Sequence, residues 1–367
     1  MSTPKKNLAE ELDRIAARYE SQFAGMPRSS RNVDELDAIS AETQSLLGRI
    51  ESIPDAVRPP ELNDLAATAR QNIALYRRER ALIHDAARVG PEFERFATLA
   101  SSANFVFARY RRHFAGQSRA TRDVSLLTEM VNELETIEEA MSAIVDEGKD
   151  AQRKTELGRD RDLVRQSLAS YRTEIEHIAG ARKMGTPDEQ ASLLAQLAND
   201  QFRIYQNHFA GKSRSTRRPA LLVRVVEELE GLGKAMRALK KAGLASESND
   251  ANIDIVDRQT GTYKAELDEI RTARKGIAFG DLLGRLGGGA NEVFEAFRNE
   301  FAGKDRKTRD LARLSTLCDE LGDVRKQMLD LGRAEPSAQN DANVDIVTTQ
   351  LVSFEQEHEQ IALAQKK

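Results

Sequence analysis

Eight arginines recur at fixed spacing and are the residues of this chain best suited to do chemistry. They form four pairs with two residues between the members: Arg28 and Arg31, Arg119 and Arg122, Arg214 and Arg217, Arg306 and Arg309. Two guanidinium groups beside the free N–H groups of a helix start form a site for an anion, such as a phosphate-bearing polymer, a lipid headgroup or an acidic protein segment. The alternative is a structural brace, in which each pair donates to the last carbonyl groups of the preceding helix or to carboxylates of an adjacent helix. Because a fold signature must recur in every repeat, we favour the brace and keep the anion site as the alternative.

The positive charge of the chain is concentrated around these arginines. The net charge of the whole chain is −4, whereas the windows 18–31, 109–122, 204–217 and 296–309 together carry +13, so that the remainder carries −17. The overall pI of about 5.9 and the lack of aromatic residues interleaved with the arginines weigh against base stacking on a nucleic acid. An anionic polymer nevertheless remains a possible partner.

Other motifs that suggest chemistry fail on their spacing. The glycine-rich run at 284–289 lacks the Lys-Ser/Thr of a phosphate-binding loop. The segments 250–254 and 341–345 open like EF-hand loops but lack Gly at the sixth and Glu at the twelfth position, so we predict that they cap helices. Glu174 and His177 have the spacing of a di-iron ligand pair without partner glutamates. We predict no catalytic residue, cofactor, metal site or small-molecule substrate, and therefore no enzyme.

The arginine pairs belong to a longer phrase that occurs four times. Each copy begins with Tyr or Phe, continues with Phe-Ala-Gly and ends with the pair, and its glycines, at 25, 116, 211 and 303, lie 91, 95 and 92 residues apart. Self-similarity at a fixed period is typical of repeat architectures. Four repeats of about 92 residues fill the chain, and we place them at residues 1–90, 91–185, 186–277 and 278–367 (repeats 1 to 4).

Each repeat is predicted to contain three helices, called here helices A, B and C. Helix B has apolar residues at alternating spacings of three and four, for example Leu222, Val225, Leu229, Leu232, Met236 and Leu239 in repeat 3. This spacing indicates lengthwise packing of nearly parallel or antiparallel helices. Helix A is predicted to end at the repeated glycine, and helix B to begin at a hydroxyl N-cap, at Ser30, Thr121, Thr216 and Thr308. Helix C is marked by a recurring aromatic residue at 76, 171, 263 and 354.

The predicted fold class is therefore all-α, with four tandem three-helix units in a rod or a helical solenoid. Such an array resembles spectrin-type repeats in topology. The resemblance concerns architecture only, since this chain has no Trp and breaks the junction between repeats with Gly and Pro, as at Gly90-Pro91. Units stacked end to end would give a rod, whereas a helix C folded back on the next helix A would give a zigzag solenoid.

These features predict a non-enzymatic scaffold or adaptor that presents a long surface to protein partners or to further copies of itself. The alternative is a protein that binds nucleic acid, polyphosphate or lipid headgroups through the arginine pairs. The single cysteine, Cys318, excludes a disulfide within the chain. Because the sequence also lacks an apolar stretch long enough to form a transmembrane segment, we expect a cytoplasmic location.

Overall fold

The chain is mostly α-helical. The computed structural model describes residues 4–54, 58–147, 151–211, 214, 217–243 and 247–365, and it contains twelve α-helices and no strand within those ranges. The helices are α1 Pro4–Phe23, α2 Val33–Glu51, α3 Pro60–Val89, α4 Pro91–Phe114, α5 Val124–Glu147, α6 Ala151–Ala181, α7 Pro187–His208, α8 Pro219–Lys241, α9 Glu247–Arg274, α10 Phe279–Phe301, α11 Leu311–Ala334 and α12 Ala338–Gln365. The prediction of an all-α fold is confirmed.

The predicted helix-B seam is buried. In α8 the side chains of Leu222, Val225, Leu229, Leu232 and Met236 are fully buried. They pack in one apolar cluster with residues of α7 and α9, including Phe209 at the end of α7 and Ile270 of α9. Because the side chains at this spacing lie on one face of a helix, α8 can bury its apolar stripe while its charged residues remain at the surface.

Aromatic side chains join the end of each helix A to the middle of the matching helix C. The ring centroids of Tyr19 and Tyr76 lie 4.9 Å apart. The corresponding pairs are Tyr110 and Tyr171 at 4.2 Å, Tyr205 and Tyr263 at 4.0 Å, and Phe297 and Phe354 at 4.0 Å. Contacts at these distances add to the apolar burial, so that the recurring aromatic residues fix the register of helix A against helix C.

Helix A and helix B are joined by an A–B turn, which runs from the signature glycine to the second arginine of each pair. The glycine adopts a positive φ of 72° to 76° in all four copies, a conformation that glycine adopts without steric cost. In repeats 1, 2 and 4 a 3₁₀ turn follows, at Arg28–Ser30, Arg119–Thr121 and Arg306–Thr308.

The prediction of hydroxyl N-caps for helix B is wrong. Ser30, Thr121 and Thr308 lie in the 3₁₀ turns, and the fourth predicted cap, Thr216, lies outside the described residues. The cap comes later in the chain, where Asn32 accepts from Asp34 N at 2.9 Å and Asp310 accepts from Arg313 N at 3.0 Å. A 3₁₀ turn uses the first backbone N–H groups itself, so that the α-helix starts after it and takes an Asn or Asp side chain as its cap.

The helices form two compact units. Unit 1 contains residues 1–98 and 279–367, and unit 2 contains residues 99–278. Unit 1 thus combines repeat 1 with repeat 4, the two ends of the chain, and α1 contacts α12 within it.

Candidate functional site

In repeat 1, both arginines of the pair bind one buried carboxylate. Glu79 of α3 accepts from Arg28 Nε at 2.9 Å and 3.1 Å and from Arg31 Nη1 at 2.5 Å. The side chains of Glu79 and Arg31 are almost completely buried. Charge-assisted hydrogen bonds of this kind are stronger than neutral ones, so the pair fastens the A–B turn to helix C.

The same arrangement occurs in the other three repeats. The first arginine donates through Nε to a helix-C glutamate: Arg119 to Glu174 at 3.1 Å, Arg214 to Glu266 at 3.1 Å and Arg306 to Glu357 at 2.8 Å. The second arginine, at 122, 217 or 309, donates through Nη1 to the same glutamate. All eight predicted arginines therefore contact a carboxylate of helix C, and each group of two arginines and one glutamate is called here an Arg–Glu–Arg brace.

The second arginine also donates a hydrogen bond to a backbone carbonyl of its own A–B turn in repeats 1, 2 and 4. Arg31 Nε donates to Met26 O at 3.1 Å, Arg122 Nη2 to Gln117 O at 3.0 Å and Arg309 Nε to Lys304 O at 2.9 Å. In each case the acceptor is the residue directly after the signature glycine. The sequence interpretation gave the last carbonyl groups of helix A as one of two possible acceptors, besides carboxylates of an adjacent helix. The carbonyl that the second arginine binds belongs instead to the turn after helix A. The brace therefore fixes both the shape of the A–B turn and its attachment to helix C.

The sequence interpretation did not identify the glutamates of the braces, although they carry a signal. Each lies three residues after the aromatic residue of helix C, in the pairs Tyr76 and Glu79, Tyr171 and Glu174, Tyr263 and Glu266, and Phe354 and Glu357. Residues three apart lie on the same side of a helix, and the aromatic residue already marks the face that meets helix A. A search for polar residues with the same period as the arginines finds all four glutamates.

Glu174 has the sequence spacing of a di-iron ligand, but its environment is that of a brace. Its carboxylate is occupied by Arg119 and Arg122. His177 Nδ1 lies 3.8 Å away on the exposed side. Within the described residues no group of three or more His, Cys, Asp or Glu side chains is arranged to hold a metal ion.

The electrostatics of the braces follow from these contacts. The hydrogen bond from Arg306, opposed by partial desolvation and aided by the charges of Arg306 and Arg309, holds the pKa of Glu357 below its ordinary value of 4.5. The pKa of Glu266 is also lowered, since the hydrogen bond from Arg214 and the charges of both arginines outweigh the opposing effect of desolvation. These carboxylates are therefore favoured in their charged form by the folded state.

The four braces differ in how far their first arginine is exposed to solvent. The side chains of Arg119, Arg214 and Arg306 are 54%, 51% and 49% exposed, whereas that of Arg28 is only 15% exposed. The second arginine is largely buried in every repeat. Repeats 2, 3 and 4 thus present one half-exposed guanidinium group each.

Arg28 is less exposed because α12 of repeat 4 lies over the repeat 1 turn inside unit 1. Arg31 Nη2 contacts Asp341 Oδ2 at 2.6 Å, and Arg28 Nη2 forms an ion pair with Asp345. Burial raises the pKa of both aspartates, against the lowering effect of the arginines. Glu20 of α1 accepts from the backbone N–H groups of residues 338 and 339, both at 2.8 Å, at the start of α12.

The prediction that segment 341–345 caps helix C is therefore wrong. Ser337 is the capping residue, since its hydroxyl oxygen accepts from Asn340 N at 3.1 Å. Asp341 and Asp345 lie inside the helix, one turn apart, and their carboxylates bind the arginines of repeat 1. In the same way Asp250 and Asp254 lie inside α9. In segment 341–345 the two aspartates thus serve the contact with repeat 1.

A second cluster of buried charge lies within unit 2, between helices of repeats 2 and 3. Glu228 of α8 accepts from Ser125 N at 3.1 Å and from Arg182 Nη2 at 2.7 Å. Burial, together with the nearby carboxylate of Asp123, raises the pKa of Glu228. A cavity of about 690 Å³ adjoins this cluster. Both oxygens of Glu228 accept hydrogen bonds from the chain itself, so the cluster acts as a contact between the repeats.

The described part of the chain contains no helix both long enough and apolar enough to cross a bilayer. Comparisons of the whole chain with protein-family models, with curated proteins and with solved structures find no match.

Proposed function

We propose that this protein is a non-enzymatic helical-repeat scaffold that binds protein partners or further copies of itself. Four three-helix units form the scaffold, each with helices A, B and C. Three features support the grouping: the apolar seam of helix B, the aromatic contact between helices A and C, and the Arg–Glu–Arg brace between the A–B turn and helix C. The features recur with the period of about 92 residues that the sequence shows.

The observation that carries the proposal is the double use of the arginine pair in repeat 1. Arg28 and Arg31 bind Glu79 of their own repeat and, at the same time, Asp341 and Asp345 on a helix of repeat 4. The ligand of the arginine pair is here the face of another helix. The chemistry of these turns is therefore well suited to contacts between proteins.

Cross-linking in extract from the native cells, followed by mass spectrometry, tests this function. We expect reproducible cross-links from exposed faces of the repeats to a small set of protein chains, and their loss when the protein is denatured before it is added. A catalytic turnover that disappears on substitution of one residue, together with no intermolecular cross-link above the denatured control, would overturn the proposal.

A second function is favoured by one observation, the half-exposed first arginine of repeats 2, 3 and 4. These three guanidinium groups could bind a polyanion. Titration with polyphosphate over a series of salt concentrations tests this alternative. The variant is the triple change Arg119→Ala, Arg214→Ala and Arg306→Ala. If the arginines bind phosphates, the slope of log affinity against log salt concentration should become shallower by about one for each phosphate contact that the variant loses. A salt dependence that is the same in parent and triple variant would contradict it.

A further inference from the structure

The contact between repeats 1 and 4 defines a recognition pattern of two aspartates for one arginine pair. Asp341 and Asp345 lie four residues apart on α12, so both carboxylates point to the same side of the helix. They meet Arg31 and Arg28, whose other donor groups hold Glu79. An A–B turn can therefore keep its own brace and bind a second helix at the same time.

Helix α9 carries almost the same surface. Residues 249–256 read Asn-Asp-Ala-Asn-Ile-Asp-Ile-Val and residues 340–347 read Asn-Asp-Ala-Asn-Val-Asp-Ile-Val, so the two segments differ at one position. The first residue of each segment is an Asn whose side chain bonds to the preceding helix B in the same way. Asn249 Nδ2 donates to Met236 O at 3.0 Å, and Asn340 Nδ2 donates to Met328 O at 2.7 Å. The two segments therefore present their aspartates alike.

This surface is covered on α12 and uncovered on α9. Ala342 is buried, whereas the equivalent Ala251 is exposed, and Ile255 next to it has 40% of its surface exposed. Asp250 has an exposed lysine, Lys240, as its ion-pair partner at 2.9 Å. Asp254 is exposed and has no cation within ion-pair distance in the described part of the chain. The acidic face of α9, defined by residues 250, 251, 254 and 255, thus lacks the arginine pair that its copy on α12 binds.

Among the first arginines of the remaining A–B turns, Arg119 of repeat 2 matches Arg28 most closely. Arg119 binds Glu174 through Nε at 3.1 Å and 3.2 Å, as Arg28 binds Glu79, and its Nη groups donate to no described group. A Cβ added at Gly25 would lie 3.2 Å from Pro336 of the covering segment, whereas one added at Gly116 would have no described neighbour within 4 Å.

The first arginines of the other two turns are already engaged. Arg214 forms a second ion pair with Glu269 in addition to its contacts with Glu266. Arg306 uses both Nε and Nη2 on Glu357, at 2.8 Å each. Arg28 binds Asp345 through an Nη group. Among these three described first arginines, Arg119 of repeat 2 is the one whose Nη groups are available for such a contact.

We propose that the acidic face of α9 in one copy of the protein binds the repeat 2 A–B turn, Gly116–Arg122, of a second copy. Asp250 binds Arg122 and Asp254 binds Arg119, as Asp341 binds Arg31 and Asp345 binds Arg28 within unit 1. The two surfaces are different, so the contact is head-to-tail and links copies into a chain or a ring. This inference rests on the proposed scaffold function and names a second copy of the chain as a partner.

Two variants, each altered on one surface only, test the proposal. Asp250→Lys with Asp254→Lys reverses the charge of the acidic face. Gln117→Glu with Ser118→Asp adds acidic groups to the turn without touching its arginines, and Asp is the residue that repeat 4 has at the equivalent position, 305. The control is Asp160→Lys with Asp268→Lys, which makes the same charge reversal at two exposed positions outside both proposed contact surfaces. Circular dichroism of all variants should match the parent.

Sedimentation velocity between about 1 and 100 μM, the range of weak protein contacts, gives the masses. We expect the mass of the parent and of the control to rise with concentration above 40.9 kDa, and each one-sided variant to stay at that mass. An equimolar mixture of the two one-sided variants should form a species of twice that mass and nothing larger, because each variant keeps one intact surface.

A parent that stays monomeric over the whole range would overturn the inference, as would a mixture of the two variants that forms no dimer. One-sided variants that associate like the parent, or a control that loses association, would overturn it as well. A monomeric parent would leave the scaffold proposal standing as long as cross-links to other protein chains are found, so that the two failures are distinguishable.

Discussion

The change Glu174→Gln removes the charge from one brace and keeps its shape. Glu174 and Arg122 have about a tenth of their side chains exposed, whereas Arg119 is half exposed. Breaking a fully buried ion pair by removing one partner costs about 3–5 kcal/mol, and an exposed pair contributes about 0–1 kcal/mol. The Arg122 contact lies near the buried limit and the Arg119 contact near the exposed one. We therefore expect a loss of about 2–3 kcal/mol in the free energy of unfolding.

Thermal melting followed by circular dichroism measures this loss. For a cooperative unit of about 180 residues, each kcal/mol lowers Tm by about 2–4 °C, so that Glu174→Gln should lower the Tm of unit 2 by about 4–12 °C. The matched control is Glu135→Gln on α5, which removes an exposed pair with Arg172 and should change Tm by less than about 2 °C. Equal melting temperatures for the two variants would refute the idea that the arginine pairs brace the fold.

Three further outcomes are expected. Phe209→Ala should cost about 3–5 kcal/mol in urea unfolding, since the ring is fully buried in the core of repeat 3; a variant as stable as the parent would contradict this. Stability should fall as the pH drops below 4.5 and through the lowered pKa of Glu357, because the charged carboxylate stabilises the fold. In melts at several pH values, Glu357→Gln should therefore lose less stability at acid pH than the parent does. Gly116→Ala should lower the free energy of unfolding by about 1–2 kcal/mol, because the φ of Gly116 is +76°. The control Gly180→Ala lies inside α6, where an added Cβ has open space, and should raise it by up to about 1 kcal/mol. Melts that show equal effects for the two changes would contradict the role of the glycine in the turn.

Sequence reasoning predicted those features that local spacing determines. The apolar seam of α8 follows from the step of three and four residues, and the aromatic residues at 205 and 263 recur with the period of the repeat. The helix-B caps were wrong because Ser30 and Thr308 have suitable hydroxyl groups but lie in a 3₁₀ turn, whose hydrogen bonds propensity alone does not reveal.

The partners of the arginines were harder to predict. Glu79 lies in a helix with several other charged residues, and charge alone does not distinguish the one that faces the A–B turn. The contact of Arg31 with Asp341 joins residues 310 positions apart. No local pattern encodes such a contact, although the near identity of segments 249–256 and 340–347 shows that two helices carry the same surface.

The central claim, that the arginine pairs serve contacts within and between protein helices, is tested most directly by the double change Arg214→Ala with Arg217→Ala. The measurement is the Tm of the free protein, together with capture of the parent and the variant on immobilised polyphosphate. We predict a clear drop in Tm, since Glu266 loses both of its arginines, and little dependence of any capture on salt. A double variant with the Tm of the parent that is no longer captured would contradict the claim and favour the anion-binding alternative.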